Sequence, residues 1–147
     1  MGDILISCRQ FVEVIDRIYP VLFAYLFGSR AKGTDNSMSD IDIAIMFVEN
    51  YNAEDDLFNR GHIIDTGKEF FNEPVDVINL AKASLLQQYE VVQHGIVVVG
   101  KDSSKRLEFE SLTLRKYFDF RFYSERYNEA MISRIKEGTY FGGDSTG

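Results

Sequence analysis

Apolar residues recur along the chain in two rhythms, one helical and one extended, and their alternation sets out an order of elements. Ile4, Cys8, Phe11, Ile15 and Ile18 keep helical spacing, which predicts an amphipathic helix over 3–18 that Pro20 closes. Residues 21–27 form a short apolar run rich in aromatic and β-branched residues, of strand length. Residues 28–39 hold two glycines and small polar residues, a loop with room for one helical turn. A strand follows over 40–48. Ile41, Ile43, Ile45 and Phe47 share one face of it, and Asp40, Asp42, Ala44 and Met46 share the other.

Beyond the polar connection at 49–53, Leu57, Gly61, Ile64 and Phe71 suggest a helical stripe between 54 and 71. Pro74 introduces a strand over 75–80, a helix is expected over 82–93, and 96–99 reads as an edge strand closed by Gly100. Residues 103–137 are the longest helical candidate, with Ser84 and Ser103–Ser104 as helix caps. The order implies an α/β (α+β) architecture, a sheet packed with helices. With 147 residues and no internal linker, 1–141 should make one domain, with 142–147 as a disordered tail.

Composition narrows the function classes. The chain carries 16 basic and 23 acidic residues, a net charge of -7, so a broad basic face for direct nucleic-acid binding is not expected. A nucleotide remains a reasonable ligand, because a divalent cation brings its own charge to the phosphates. The single cysteine, Cys8, excludes an internal disulfide and reads as a small buried hydrophobe. No signal peptide and no apolar run of ~18 residues is present, so the expected location is the cytoplasm, without membrane contact.

Three features converge on chemistry. Gly28 and Ser29 directly follow the first strand, Asp40 and Asp42 stand at the head of the second, and Asp76 lies in the third. A glycine there lets the backbone turn tightly and approach a ligand. Backbone N–H groups of a helical turn opening at Ser29 could cradle phosphate oxygens, with its hydroxyl as a further donor. Residues i and i+2 of a strand point the same way, so Asp40 and Asp42 present two carboxylates side by side. A cation relieves their repulsion, and Mg²⁺ prefers such hard oxygen ligands. Asp76 could complete a second metal position. Each feature alone is weak: D-x-D can be a solvated strand end, and G-S only a turn. Arg30 and Lys32 could neutralise a triphosphate, or merely face solvent from the loop. His62 and His94 lack a partner at ligand spacing and read as structural, and Asp65 as a surface charge.

The stretch GSRAKGTDNSMSDID resembles the G-S-x10-D-x-D signature of the polymerase-β-like nucleotidyltransferase superfamily, including the A-(R/K)-G after its serine. Asp76 within PVDVINL is similar to that family's third carboxylate. Within the superfamily, YEVVQHGIVVVG and FESLTLRKYFDF resemble the minimal nucleotidyltransferase (MNT) proteins, the MntA-type antitoxins paired with HEPN toxins.

The resemblance implies a polymerase-β-like catalytic core with a long C-terminal helix. It implies Mg²⁺ as cofactor and ATP as co-substrate. It further implies AMP transfer from ATP to a tyrosine of a HEPN ribonuclease toxin, which that addition silences. By position, Gly28 and Ser29 would contact phosphates, and Asp40, Asp42 and Asp76 would hold Mg²⁺, with Asp76 nearest the attacking hydroxyl. A small-molecule or RNA acceptor, or a binding-only antitoxin, are the alternatives. The last helix bears Phe109, Tyr117, Phe118, Phe120, Phe122, Tyr123 and Tyr127, more rings than one stripe can turn inward. Either its own domain buries it on two sides or a partner covers it. The sequence favours the partner, the HEPN toxin.

Overall fold

A computed structural model describes residues 2–32, 40–48 and 56–138. Its elements follow the predicted order: α1 (Gly2–Asp16), β1 (Val21–Phe27), α2 (Ser29–Lys32), β2 (Ile41–Phe47), α3 (Asp56–Phe71), β3 (Val75–Asn79), a 3-10 turn (Leu80–Lys82), α4 (Leu85–His94), β4 (Ile96–Val99) and α5 (Ser104–Glu137). The expected tail at 142–147 lies outside the described residues.

The strands form one mixed sheet in the order β3-β2-β1-β4. β1 runs antiparallel to both β2 and β4, while β2 and β3 are parallel. Consequently the end of β1 and the beginnings of β2 and β3 meet at one end of the sheet. The register places Phe27 opposite Asp42 and Asp42 opposite Asp76.

Alternation of side chains gives the sheet two different faces. Ala24, Leu26, Ile41, Ile43, Ile45, Val75 and Val77 pack against Cys8, Phe11, Val12 and Ile15 of α1 and Ile63 of α3. On the other side Phe23, Tyr25, Ala44 and Ile78 pack with Leu80, Val91 of α4 and Phe109 of α5. Asp40, Asp42 and Asp76 belong to this second side by strand alternation. Helices thus cover both faces, and the carboxylates, at one end of the sheet, are not fully buried.

The α3 stripe needs correction. Ile64 and Phe71 of the expected stripe pack against the core, but Gly61 is exposed and the fully buried positions are Ile63 and Gly67. Gly67 lies so close to the core that a Cβ there would press to 3.2 Å on Val75 and 3.3 Å on Phe11. The apolar spacing along this helix is poor, and its inward face combines Ile63, Ile64 and Phe71 with the close approach of Gly67.

The caps behave as the sequence suggests. Ser84 accepts a hydrogen bond from the Gln87 N–H and Ser103 one from the Arg106 N–H. Gly138 adopts a left-handed conformation and donates its N–H to the Arg134 and Ile135 carbonyls, ending α5. A partly buried polar network fastens α5 to the sheet. The Tyr25 hydroxyl donates to Glu110 at 2.6 Å, and Arg106 donates to the same carboxylate oxygen at 2.6 Å and to the carbonyls of Gly100 and Lys101.

Candidate active site

Gly28 is the hinge of the site. It takes φ +77°, the left-handed region that side chains disfavour, and a Cβ on it would collide with the Asp42 carboxylate. The chain therefore turns from β1 into α2 directly against Asp42. Ser29 opens α2, a single turn whose leading backbone N–H groups have no earlier helical carbonyl to meet.

Asp42 is central among the three acids. Its strand neighbours are Phe27 on one side and Asp76 on the other, and Asp40 precedes it by two residues on the same side of β2. Partial burial raises the Asp42 pKa to about 6, and the charges of Asp76 and then Asp40 add to the rise. Asp40 is exposed, while Asp42 and Asp76 are half-buried. The backbone thus brings together all three predicted carboxylates beside Gly28.

These residues suit a divalent cation by their chemistry. They supply hard oxygen donors from adjoining strands, and the repulsion that lifts Asp42 is what a bound cation would relieve. Among the described residues no three acidic, histidine or cysteine side chains are gathered tightly enough to hold an ion as they stand. The fit rests on donor type and mutual repulsion, not on a closed cage.

Arg30 departs from the open loop face considered for it. Its guanidinium meets Glu73 at 2.5 Å, and the Arg30 side chain is only 14% exposed. Its charge also opposes, weakly, the rise that burial imposes on the Cys8 thiol. Glu73 was invisible as a partner in the sequence, since 43 positions separate the two and only the fold aligns them. The backbone of Lys32 ends α2. Both histidines are exposed: His62 shares a hydrogen bond of 3.1 Å with the Tyr19 hydroxyl, and His94 stands 3.9 Å from Glu90. Asp65 is exposed.

The "Polymerase beta, Nucleotidyltransferase" family model matches residues 10–104, which include every residue of this site. The chain belongs to the polymerase beta nucleotidyltransferase family and is a nucleotidyltransferase. No curated protein matches it.

Among solved structures, a mutant of the toxin–antitoxin pair MntA–HpeT is similar at TM-score 0.67 and 22% identity, covering 87% of this chain and 98% of the other. A tri-AMPylated Shewanella oneidensis HEPN toxin in complex with its MNT antitoxin is similar at TM-score 0.65 and 21% identity, covering 89% and 97%. A toxin–antitoxin structure with AMP-PNP is similar at TM-score 0.62 and 22% identity, covering 87% and 98%. At these identities the likeness establishes the fold.

Proposed function

We propose that this nucleotidyltransferase is an MNT-type antitoxin that transfers AMP from ATP to a tyrosine hydroxyl of a HEPN toxin. The observation that carries the proposal is the placement of Gly28 against Asp42 and of Asp42 beside Asp76, which joins a backbone approach for phosphates to three carboxylates. The similar complexes add the partner: one pairs a HEPN toxin bearing AMP with an MNT antitoxin, and another contains AMP-PNP.

In this reading Gly28 clears space for the triphosphate, and the N–H groups opening α2 donate to its oxygens. Asp40, Asp42 and Asp76 would hold Mg²⁺, which when bound supplies positive charge to the reacting phosphate. The tyrosine oxygen attacks the α-phosphorus in line. A new P–O bond forms, the bond to the β-phosphate breaks, and pyrophosphate leaves. Asp76 is the candidate to take the hydroxyl proton. The chain's contribution is positioning and charge, as is general for phosphoryl transfer. Arg30 serves the site through Glu73, which fixes α2 to the start of β3.

The exposed rings of α5 fit the partner role. Phe118 is 52% exposed, Phe120 61%, Phe122 51%, Tyr123 69% and Tyr127 66%, so the chain itself does not bury this helix on two sides. The proposal is tested by incubating the purified chain and its co-expressed toxin with α-labelled ATP. Label should reach a toxin tyrosine with Mg²⁺, and not with EDTA. It should also be absent with Asp40→Asn or Asp42→Asn, since an amide lacks the charge a metal ligand needs. Full transfer by either variant would sink the mechanism. Neutralisation of the toxin without transfer would favour occlusion instead.

A further inference from the structure

α5 packs on the side of the sheet that carries the carboxylates, and it advances toward their end. It begins beside the far end of β1, where Gly100 comes close to Leu22 and Phe23. Phe109 then packs on Phe23, Glu110 meets the Tyr25 hydroxyl, and Tyr117 stacks on Tyr89 of α4. α4 advances the same way, since its closing Gly95 leads into Ile96, which pairs with Leu26 near the end of β1. From Phe23 to Phe27 the strand rises roughly 13 Å at ~3.3 Å per residue, and a helix covers that in about nine residues at ~1.5 Å each. Counted from Phe109, α5 comes level with Gly28 and the acids near Phe118.

The helix does not stop there. It runs to Glu137, so positions 118–137 add roughly 30 Å. All of them are exposed except Ser124 and Met131, which are half-buried. The stripe that packs on the domain, Phe109, Thr113 and Tyr117, continues at helical spacing through Phe120, Tyr127 and Ile135. These last three are 61%, 66% and 49% exposed. The sheet-facing stripe thus outruns the sheet at the end where the carboxylates lie.

We propose that this overhang is an arm that seats the acceptor protein at the carboxylate end, so that α5 sets the reach of the acceptor hydroxyl toward the α-phosphorus. The occupant is the toxin of the reading above, and the inference rests on that reading. A small-molecule acceptor has no use for an arm of ~30 Å. Positions 118–137 carry four acidic and four basic residues, so no net charge draws nucleic acid to them. Exposed rings on a neutral helix suit an apolar protein surface. The Tyr25–Glu110–Arg106 tie and the Tyr117–Tyr89 stack give the arm a fixed bearing on β1 and α4.

Lengthening the helix without turning it separates delivery from docking. Seven alanines inserted between Tyr117 and Phe118 add two turns, moving the rings of the arm outward by ~10 Å with ~20° of rotation. The melting temperature, and its response to Mg²⁺ with a non-hydrolysable ATP analogue, should match wild type, because the sheet and α2 are untouched. At saturating toxin, kcat for transfer from α-labelled ATP should fall at least about a hundredfold, since a displacement of ~1 Å can cost that much. The double variant Phe120→Ala/Tyr127→Ala should instead keep kcat and raise KM for the toxin about thirtyfold. If the lengthened chain unfolds, the double variant decides alone.

Undiminished kcat in the folded, lengthened chain, or an unchanged KM in the double variant, would overturn the arm. Label transfer by wild type would then leave the transferase reading standing. Self-association of wild type that Phe120→Ala/Tyr127→Ala abolishes, with KM unchanged, would also overturn it, because the stripe would belong to a second copy of the chain. A wild type that transfers no label to the toxin would remove the reading and the arm together.

Discussion

Single residues at this site are fixed by contacts that a substitution would expose at once. Gly28→Ala adds a methyl group where the Asp42 carboxylate already stands and strains a φ of +77°. Left-handed strain alone costs about 1 kcal/mol, and the collision displaces the carboxylate as well. The expected result is a folded protein with label transfer reduced by about a hundredfold or more, read beside circular dichroism. Asp42→Asn has a different signature. It removes the charge that burial, Asp76 and Asp40 all disfavour, so in EDTA near neutral pH its melting temperature should exceed wild type while transfer is lost. A lower melting temperature in EDTA would show that the carboxylate is not a source of repulsion.

Cys8 supplies a test with a pH sign. Burial pushes its thiol from an ordinary 9.0 up to about 12, against a smaller opposite influence from Arg30. Thiol reagents at about pH 8 should therefore leave the native chain unmodified and react once it is unfolded. The folded state holds its proton where the unfolded state has lost it. Stability linked to Cys8 is thus intact below about 9 and declines as pH rises toward about 12. Stability profiles of wild type and Cys8→Ala, compared over that interval, check the sign.

At the scale of elements, strands were the most legible part of the sequence. β1 spans Val21–Phe27, the predicted run, because its branched and aromatic residues are bounded by Pro20 and Gly28. α1 and α3 also formed, and Ile64 and Phe71 of the predicted stripe pack inward, but Gly61 is exposed while Gly67, close to Phe11 and Val75, is buried. Partly buried polar ties such as Arg30–Glu73 and Tyr25–Glu110–Arg106 were illegible, because partners 43 and 85 positions apart carry no periodic signal.

α5 divides into two parts with different expected responses. Its first part is anchored by Phe109 on Phe23 at 5.6 Å and by Tyr117 stacked on Tyr89 at 3.6 Å. Farther along, Phe118 and Phe122 are about half exposed, and Phe122 lies 4.7 Å beneath the Arg126 guanidinium. Phe109→Ala should lower the melting temperature as a core truncation. Phe118→Ala and Phe122→Ala should change it little and instead weaken the toxin complex by ~2 kcal/mol, about thirtyfold, if they are central anchors. Titration of the purified toxin against each folded variant measures this. Unchanged affinity would remove α5 as the docking surface while leaving the chemistry untouched.

On the scale of the whole molecule, function depends on strand direction more than on helix count. The carboxylates meet Gly28 only because β1 runs against β2 while β3 runs with it, so one strand ending and two strand beginnings share one end of the sheet. Motif spacing could name those residues, but it could not supply the antiparallel turn that brings them together. Such a site brings acids together before any ligand compensates them, and ligand binding should then stabilise the whole fold. Mg²⁺ with a non-hydrolysable ATP analogue at ~100 times its dissociation constant should add ~2.7 kcal/mol. For a chain of this length that corresponds to a rise of roughly 5–10 °C in melting temperature. The analogue in EDTA should give a much smaller rise. Asp42→Asn, although more stable without ligand, should respond weakly to the pair. Equal shifts with and without Mg²⁺ in wild type would mean that the nucleotide is held without the carboxylates, and would separate Gly28 and α2 from the acids as a binding unit.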